Sequence, residues 1–195
     1  GYRDDTDQLI SEIMENINKA VELNNNDFEA HRMLAEVHLS LHEFDKAYDH
    51  GFKSFQLNPN DPRVTSVFGE ILIRIDKLDK GVELLEKAYE LDPIPQGQNT
   101  SDRRLCALLT GYYLKNDFNK CKDLINDISD IDFKSWLLST NIHKKNNFNI
   151  DNLNWFVSGS KKFANIDIEL EIDRFHLNNK ELSKTLEKEA KEILN

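Results

Sequence analysis

Residues 28–61, FEAHRMLAEVHLSLHEFDKAYDHGFKSFQLNPND, laid over residues 62–95, PRVTSVFGEILIRIDKLDKGVELLEKAYELDPIP, decide the architecture. At this offset of 34 residues Leu34 falls on Phe68, Ala35 on Gly69, His38 on Leu72, Phe44 on Leu78, Ala47 on Gly81, Ser54 on Ala88, Leu57 on Leu91 and Pro59 on Pro93. Large residues lie over large and small over small, as in a unit that stacks on copies of itself. Within the first copy Leu34, Val37, His38 and Leu41 recur at helical spacing, and Phe44, Ala47, Tyr48, Gly51 and Phe55 do so again after a break at His42-Glu43. Each copy therefore predicts a hairpin of two helices. Asp61 can cap a helix with Pro62 at its first position, and Asn58-Pro59 and Asp92-Pro93 stop the helices before them.

Working outward, a third copy at 102–135 aligns Leu105, Leu108, Tyr112, Phe118, Cys121 and Ile131, after a linker at 96–101 whose Ser101 is a candidate helix cap. Leu109 and Ile128 replace small residues there, so an altered tilt between its helices is expected. Upstream, Leu9, Ile13, Ile17 and Val21 form an apolar stripe joined by Met14, and residues 7–23 read as the lone second helix of a partial repeat, so the chain is expected to be a piece of something longer. A repeat cannot bury its apolar face alone, so this edge is expected to be covered by upstream sequence, by a second copy or by the array folding back. Self-association as a two-fold homodimer is the easiest of these for the chain by itself. Downstream, 136–162 reads as a degenerate hairpin and 163–195 as capping helices, the last at about 179–194 with Leu182, Leu186, Ala190 and Ile193 on one side. Ile166, Ile168, Leu170 and Ile172 alternate briefly like a strand, but a lone strand has nothing to pair with, and helix is expected there, with Phe175 and Leu177. The whole of 1–195 is expected to form a single all-α solenoid.

Composition narrows the function. The net charge of −10, from 25 Lys plus Arg against 35 Asp plus Glu, repels a phosphate backbone, so nucleic acid is not an expected partner. No apolar run is long enough for a membrane span, and the N-terminus lacks the pattern of a signal peptide. Without such a signal, the sequon at Asn99-Thr100-Ser101 has no consequence. Cys106 and Cys121 are outside any metal or redox spacing and read as reduced thiols, which points to the cytoplasm. His31, His38 and His42 lie at helical spacing but read as core or edge residues rather than metal ligands. Carboxylates are spread at salt-bridge spacing, Lys144, Lys145, Lys161 and Lys162 read as solvated, and phosphate-cradling glycine loops are absent. No cofactor, metal or catalytic residue is expected, and this segment is not read as an enzyme.

Counting Phe28 as position 1, the first copy holds His31, Leu34, Ala35, His38, Phe44, Ala47, Ser54 and Pro59 at positions 4, 7, 8, 11, 17, 20, 27 and 32, and the second holds Thr65, Phe68, Gly69, Leu72, Leu78, Gly81, Ala88 and Pro93. This pattern resembles the tetratricopeptide repeat, departing mainly at Thr65. The resemblance implies a concave groove lined by the first helix of each hairpin, at positions 2, 5, 6, 9, 12 and 13. Carried over, the lining is Arg32, Met33, Glu36, Leu39 and Ser40, then Arg63, Ser66, Val67, Glu70, Ile73 and Arg74, then Arg103, Cys106, Ala107, Thr110, Tyr113 and Leu114. A protein or peptide partner is implied. The clamp by which chaperone-binding members hold a terminal carboxylate is disfavoured, because Arg32 and Arg103 fit it but Glu36, Val67 and Ala107 do not. Repeat 62–95, the linker and the tail also resemble, weakly, the C-terminal repeat regions of bacterial class III adenylate/guanylate cyclases. That resemblance implies a second function, a regulatory or assembly appendage of a larger enzyme.

Overall fold

The computed structural model describes residues 2–93, 100–175 and 180–194. Among these residues every regular element is a helix: α1 Tyr2–Leu23, α2 Phe28–Ser40, α3 Phe44–Leu57, α4 Pro62–Arg74, α5 Leu78–Leu91, α6 Thr100–Leu114, α7 Phe118–Leu124, α8 Phe133–Lys145, α9 Asn154–Lys162, α10 Ile168–Asp173 and α11 Lys180–Leu194. A 3-10 turn, Ile125–Asp127, follows α7. The chain packs as two units, Gly1–Pro93 and Ile94–Asn195, each described by itself.

Four hairpins turn in the same way. His42, Asp76, Asn116 and Asn147 adopt left-handed φ angles of 60°, 65°, 60° and 55°. The amide after each reaches back to close the helix: Glu43 to the His38 carbonyl at 2.9 Å, Lys77 to Leu72 at 2.8 Å, Asp117 to Tyr112 at 2.9 Å and Phe148 to His143 at 3.0 Å. The left-handed residues themselves donate to the carbonyls of Leu39, Ile73, Tyr113 and Lys144. This pair of bonds is the Schellman helix end, here built without glycine, on His, Asp and Asn, which tolerate positive φ better than other side chains. His42, Asp76 and Asn116 hold the same place in their repeats, and Asn147 sets the register of the fourth, which begins at Phe133 with α8.

In the first unit Asp27 and Asp61 cap α2 and α4 by accepting from the second and third amides of each helix, with Pro62 at the start of α4. Small residues then let the paired helices meet. Ala35 and Ala47 are fully buried in a cluster with Leu39, Val67 and Ile71, where Phe44 and Tyr48 also pack. In the next hairpin Gly69 and Gly81 stand at the same places, and a Cβ on Gly81 would lie 2.9 Å from the Gly69 carbonyl and 2.8 Å from Ile73 Cγ1. Phe68, Leu72 and Leu84 complete the core with Tyr48, Phe55 and Ile75. Burying side chains such as Leu34, Ile71 and Leu85 stabilises the fold by about 1.5–3 kcal/mol each.

The second unit keeps the turn and changes the helices. α6 begins at Thr100, so Ser101, expected to cap it, lies within the helix; residues 96–99 of the expected linker, with Asn99, and Leu177 lie outside the described residues. α7 is seven residues long where α3 and α5 have fourteen, and the chain beyond it is held by Asp102, whose carboxylate accepts from the Ser129 and Asp130 amides and the Ser129 hydroxyl. Trp136, fully buried, centres the next hairpin among Phe133, Phe156 and Phe163, and its indole donates to the Phe156 carbonyl at 3.2 Å. Gly159 permits this: a Cβ there would lie 2.1 Å from Trp136 Cδ1. Of the stretch with strand-like alternation, Ile168, Leu170 and Ile172 lie in α10, while Ile166 falls in a bend before it and Phe175 in the turn after it.

Three histidines pack in a row between α2 and α3. The His50 ring lies 5.2 Å from that of His31 and 5.6 Å from that of His38. His31 Nε2 faces the Asn25 carbonyl at 3.2 Å and so carries a proton, while its Nδ1 sits 2.9 Å from His50 Nδ1, a contact that needs one shared hydrogen and breaks if both nitrogens hold one. His38 Nδ1 lies 2.5 Å from Glu43 Oε2, and Glu43 also pairs with Lys46. His42, at the left-handed turn, is exposed and outside the row.

Two predictions follow from this packing. Replacing Gly81 with Leu forces α4 and α5 apart and should cost roughly 1–3 kcal/mol, seen as a lower melting temperature; an unchanged melt contradicts the close approach. The second concerns acid. Burial, then the neighbouring His31 and His38, hold the His50 imidazole below its ordinary value against the opposing pull of Asp49. The unfolded chain therefore takes up a proton near pH 6.5 that the folded chain refuses, so stability is full above that pH and falls below it. Glu29, Glu43 and Asp61, held below the usual carboxylate range, lose their contribution only at still lower pH. The melting temperature should drop between pH 7.5 and 5.5, and His50→Gln should flatten that slope; a slope unchanged in the variant assigns it to other groups.

Candidate protein-binding surface

In the first unit the side chains expected to line a groove come from α2 and α4, which pack side by side. Arg32 is held from both sides: its guanidinium lies 2.7 Å from Glu29 Oε1 and 2.7 Å from Glu36 Oε2, with Nε 3.0 Å from Glu29 Oε2. Glu29 also reaches Arg63 on α4 at 3.3 Å, and Arg63 lies 2.8 Å from Asp61 Oδ2. A ladder Glu36–Arg32–Glu29–Arg63–Asp61 thus runs from one repeat to the next, and Arg74 lies 3.8 Å from Glu70 farther along α4. Burial disfavours charge on Arg32, but Glu29 and Glu36 overcome this and keep the guanidinium protonated. The Arg32 hydrogen bond chiefly holds the Glu29 carboxyl low; burial would raise Asp61, but Arg63 and the backbone amides hold it low too.

Exposure divides the expected lining. Met33 is 38% exposed, and Arg63 is exposed while Arg32, Glu36, Ser66, Glu70 and Arg74 are half-buried. Val67 is buried in the cluster beneath α2, and Ile73 is buried against Gly81, so these two serve packing. On α1, Ile17 is buried with Ala30 and Leu34, and Met14, Ala20 and Val21 pack against them. Leu9 at 56% and Ile13 at 37% remain exposed.

In the second unit Arg103 is exposed, but Thr110 and Tyr113 are buried. The Thr110 hydroxyl donates to the Cys106 carbonyl at 2.9 Å. Tyr113 donates to Asn141 Oδ1 at 2.7 Å, and Asn141 Nδ2 donates to both oxygens of Glu189, at 2.9 and 3.0 Å. Sequence reasoning missed Asn141 and Glu189. The signal lay in the turn: Asn147 places Asn141 at position 9 of its repeat, a lining position. Cys106 and Cys121 are buried, and burial pushes each thiol up to about 12, so neither ionises at neutral pH. Among the described residues no group of three or more His, Cys, Asp or Glu is placed to hold a metal, and no helix is long and apolar enough to cross a membrane.

No family model and no curated protein matches this chain. Solved structures do. MamA superposes with a TM-score of 0.60 at 12% identity, covering 84% of this chain and 96% of MamA. YrrB, a TPR protein with an unusual peptide-binding site, gives 0.56 at 12% identity, covering 96% of this chain and 86% of YrrB. PilF of Pseudomonas aeruginosa gives 0.56 at 15% identity, and the match covers 76% of this chain but only 65% of PilF. The period, the small-residue crossings and these superpositions agree that the fold is an all-α solenoid of the tetratricopeptide type.

Proposed function

We propose that this chain is a protein-interaction module that takes a peptide segment or a neighbouring domain on the face of α2 and α4. The observation that carries this reading is the ladder from Glu36 to Asp61, a strip of alternating charge that crosses two repeats beside the exposed Met33. Mixed charge with apolar footholds suits a protein surface. Every guanidinium in the ladder already has carboxylate partners, so a ligand gains by exchanging partners along the strip rather than by delivering a terminal carboxylate to a free cation. YrrB and its peptide-binding site support the reading at the level of the fold. The reading assigns no chemistry, cofactor or nucleic acid to this segment, and two buried free thiols favour the cytoplasm. The appendage of a class III cyclase rests on the sequence resemblance alone. Peptides selected from a display library against the chain should bind at least tenfold more weakly to Arg63→Glu by calorimetry, with little change in its melting temperature. Selection that yields no peptide sensitive to Arg63 counts against this face.

For the partner on α1 we propose a second copy of the chain. Leu9 and Ile13 are exposed one helical turn apart, whereas Ile17 belongs to the core. Leu9→Glu with Ile13→Glu should turn a concentration-dependent dimer into a monomer in analytical ultracentrifugation without loss of helix; a wild-type chain that is monomeric at high micromolar concentration removes the dimer.

A further inference from the structure

The second unit holds a cavity of about 430 Å³ between the 3-10 turn after α7 and the start of α9, a volume within the range of ligand pockets. Buried Ile125, Ile128 and Trp155, with half-buried Leu153, make the apolar part of its wall. Exposed amides and hydroxyls make the rest: Asn126, Ser129, Asn152, Asn154 and Ser158. No ionisable side chain lines it, although 31% of the residues in the chain are charged. A charged ligand would find nothing there to pair with as it lost water, so the cavity suits a neutral one.

One donor in this wall is unspent. Trp155 is 7% exposed, with its ring centroid 5.3 Å from that of His143 and 5.9 Å from that of Phe156, yet its indole N–H has no acceptor among the described residues. A buried indole N–H ordinarily finds a partner, as that of Trp136 does in the Phe156 carbonyl. The Trp155 nitrogen is not sealed from solvent, and the cavity that the residue lines is its way out. The Asn152 and Asn154 side chains likewise make no hydrogen bond to the described residues. Ser129 and Ser158 have given their hydroxyl hydrogens, to Asp102 and to the Trp155 carbonyl, and are left to accept.

We propose that this cavity binds an uncharged stretch of polypeptide by its main chain, with a peptide carbonyl accepting from the Trp155 indole and the Asn152 and Asn154 amides pairing with the neighbouring peptide groups. A side-chain amide donates and accepts at once, which is what a peptide group does in return. A sugar ring or a nucleobase is neutral too, but each is held by stacking on an open aromatic face, and the Trp155 ring is too deeply buried to offer one. The site lies in a different unit from the α2 and α4 surface and does not rest on it.

The chain has two tryptophans, so heteronuclear NMR spectra of the full chain give two indole N–H signals. On titration to millimolar concentration with the capped peptide acetyl-Ser-Ala-Ser-Ala-Ser-Ala-amide, the Trp155 signal should move downfield and saturate while that of Trp136 stays. No movement, or equal movement of both, overturns the proposal. The same peptide N-methylated at alternate residues has lost half of its backbone donors and should bind at least tenfold more weakly; equal binding overturns recognition of the main chain. Trp155→Phe removes the donor and should weaken binding at least tenfold, followed on the backbone amides of α9. Asn152→Asp with Asn154→Asp, at exposed positions, should do the same with helices intact by circular dichroism, whether or not Trp155→Phe folds, because a carboxylate cannot donate. Unchanged binding in that pair overturns the proposal. Maltose or adenosine that saturates the Trp155 signal where the peptide does not assigns the cavity to stacking ligands and overturns it. Binding lost in Arg63→Glu places the peptide on α2 and α4 and overturns it too.

Discussion

The first unit depends on how closely two helices of one hairpin can approach. Where α4 crosses α5, the backbone of Gly69 lies so near Gly81 that a single added methyl would sit 2.9 Å from a carbonyl oxygen. Ala35 and Ala47, with no accessible surface, fill the same crossing in the hairpin before. A crossing this tight aligns the ridges of large residues on either side, and Phe68, Leu72 and Leu84 interlock because the small pair brings them together. The Schellman turns contribute the other half of the constraint. They end each first helix at the same place and direct the chain back along it, so that small meets small.

The second unit shows what happens when one part of that arrangement is kept and the other is not. Its turns at Asn116 and Asn147 match those of the first unit. Leu109, fully buried, stands where Ala35 and Gly69 stand, and the following helix ends after Leu124. In the next hairpin the small partner is Gly159, and the bulk opposite is an entire indole. The spacing of helices is thus set by local volume, while the hairpin itself is set by the backbone turn.

Charge is organised differently in the two units. Along α2 and α4 it forms a strip of paired ions that runs from half-buried Arg32 to exposed Arg63. In the second unit Asn141, at the position that Glu36 and Glu70 hold in their repeats, is buried, accepts from Tyr113 and donates to Glu189. That one position thus carries half-buried glutamates in the first unit and a buried amide in the second. The histidine row is a third arrangement, in which three titratable rings share a buried seam and the proton count, rather than fixed charge, sets the strength of the contact.

The period of large and small residues in 28–95 was sufficient to read the helical hairpins there and the all-α fold, because volume at a crossing and turn residues at a helix end act over a few neighbours in the chain, whereas the hairpin expected at 136–162 begins three residues earlier, with α8 at Phe133. Position in the repeat likewise marked which side chains could line a surface. Which of them are exposed was decided only in three dimensions: Val67 and Ile73 lie at lining positions but fill the seams with α2 and α5, and Ile17 sits in the same stripe as the exposed Leu9 and Ile13 but packs against α2. His50 gave no sign in the sequence of joining His31 and His38, since it lies on the other helix of the hairpin. Nor could the sequence pair Asn141 with Glu189, 48 residues away, because burial by a distant helix has no local period. Local pattern specifies what each helix can bury, and only tertiary packing specifies against what.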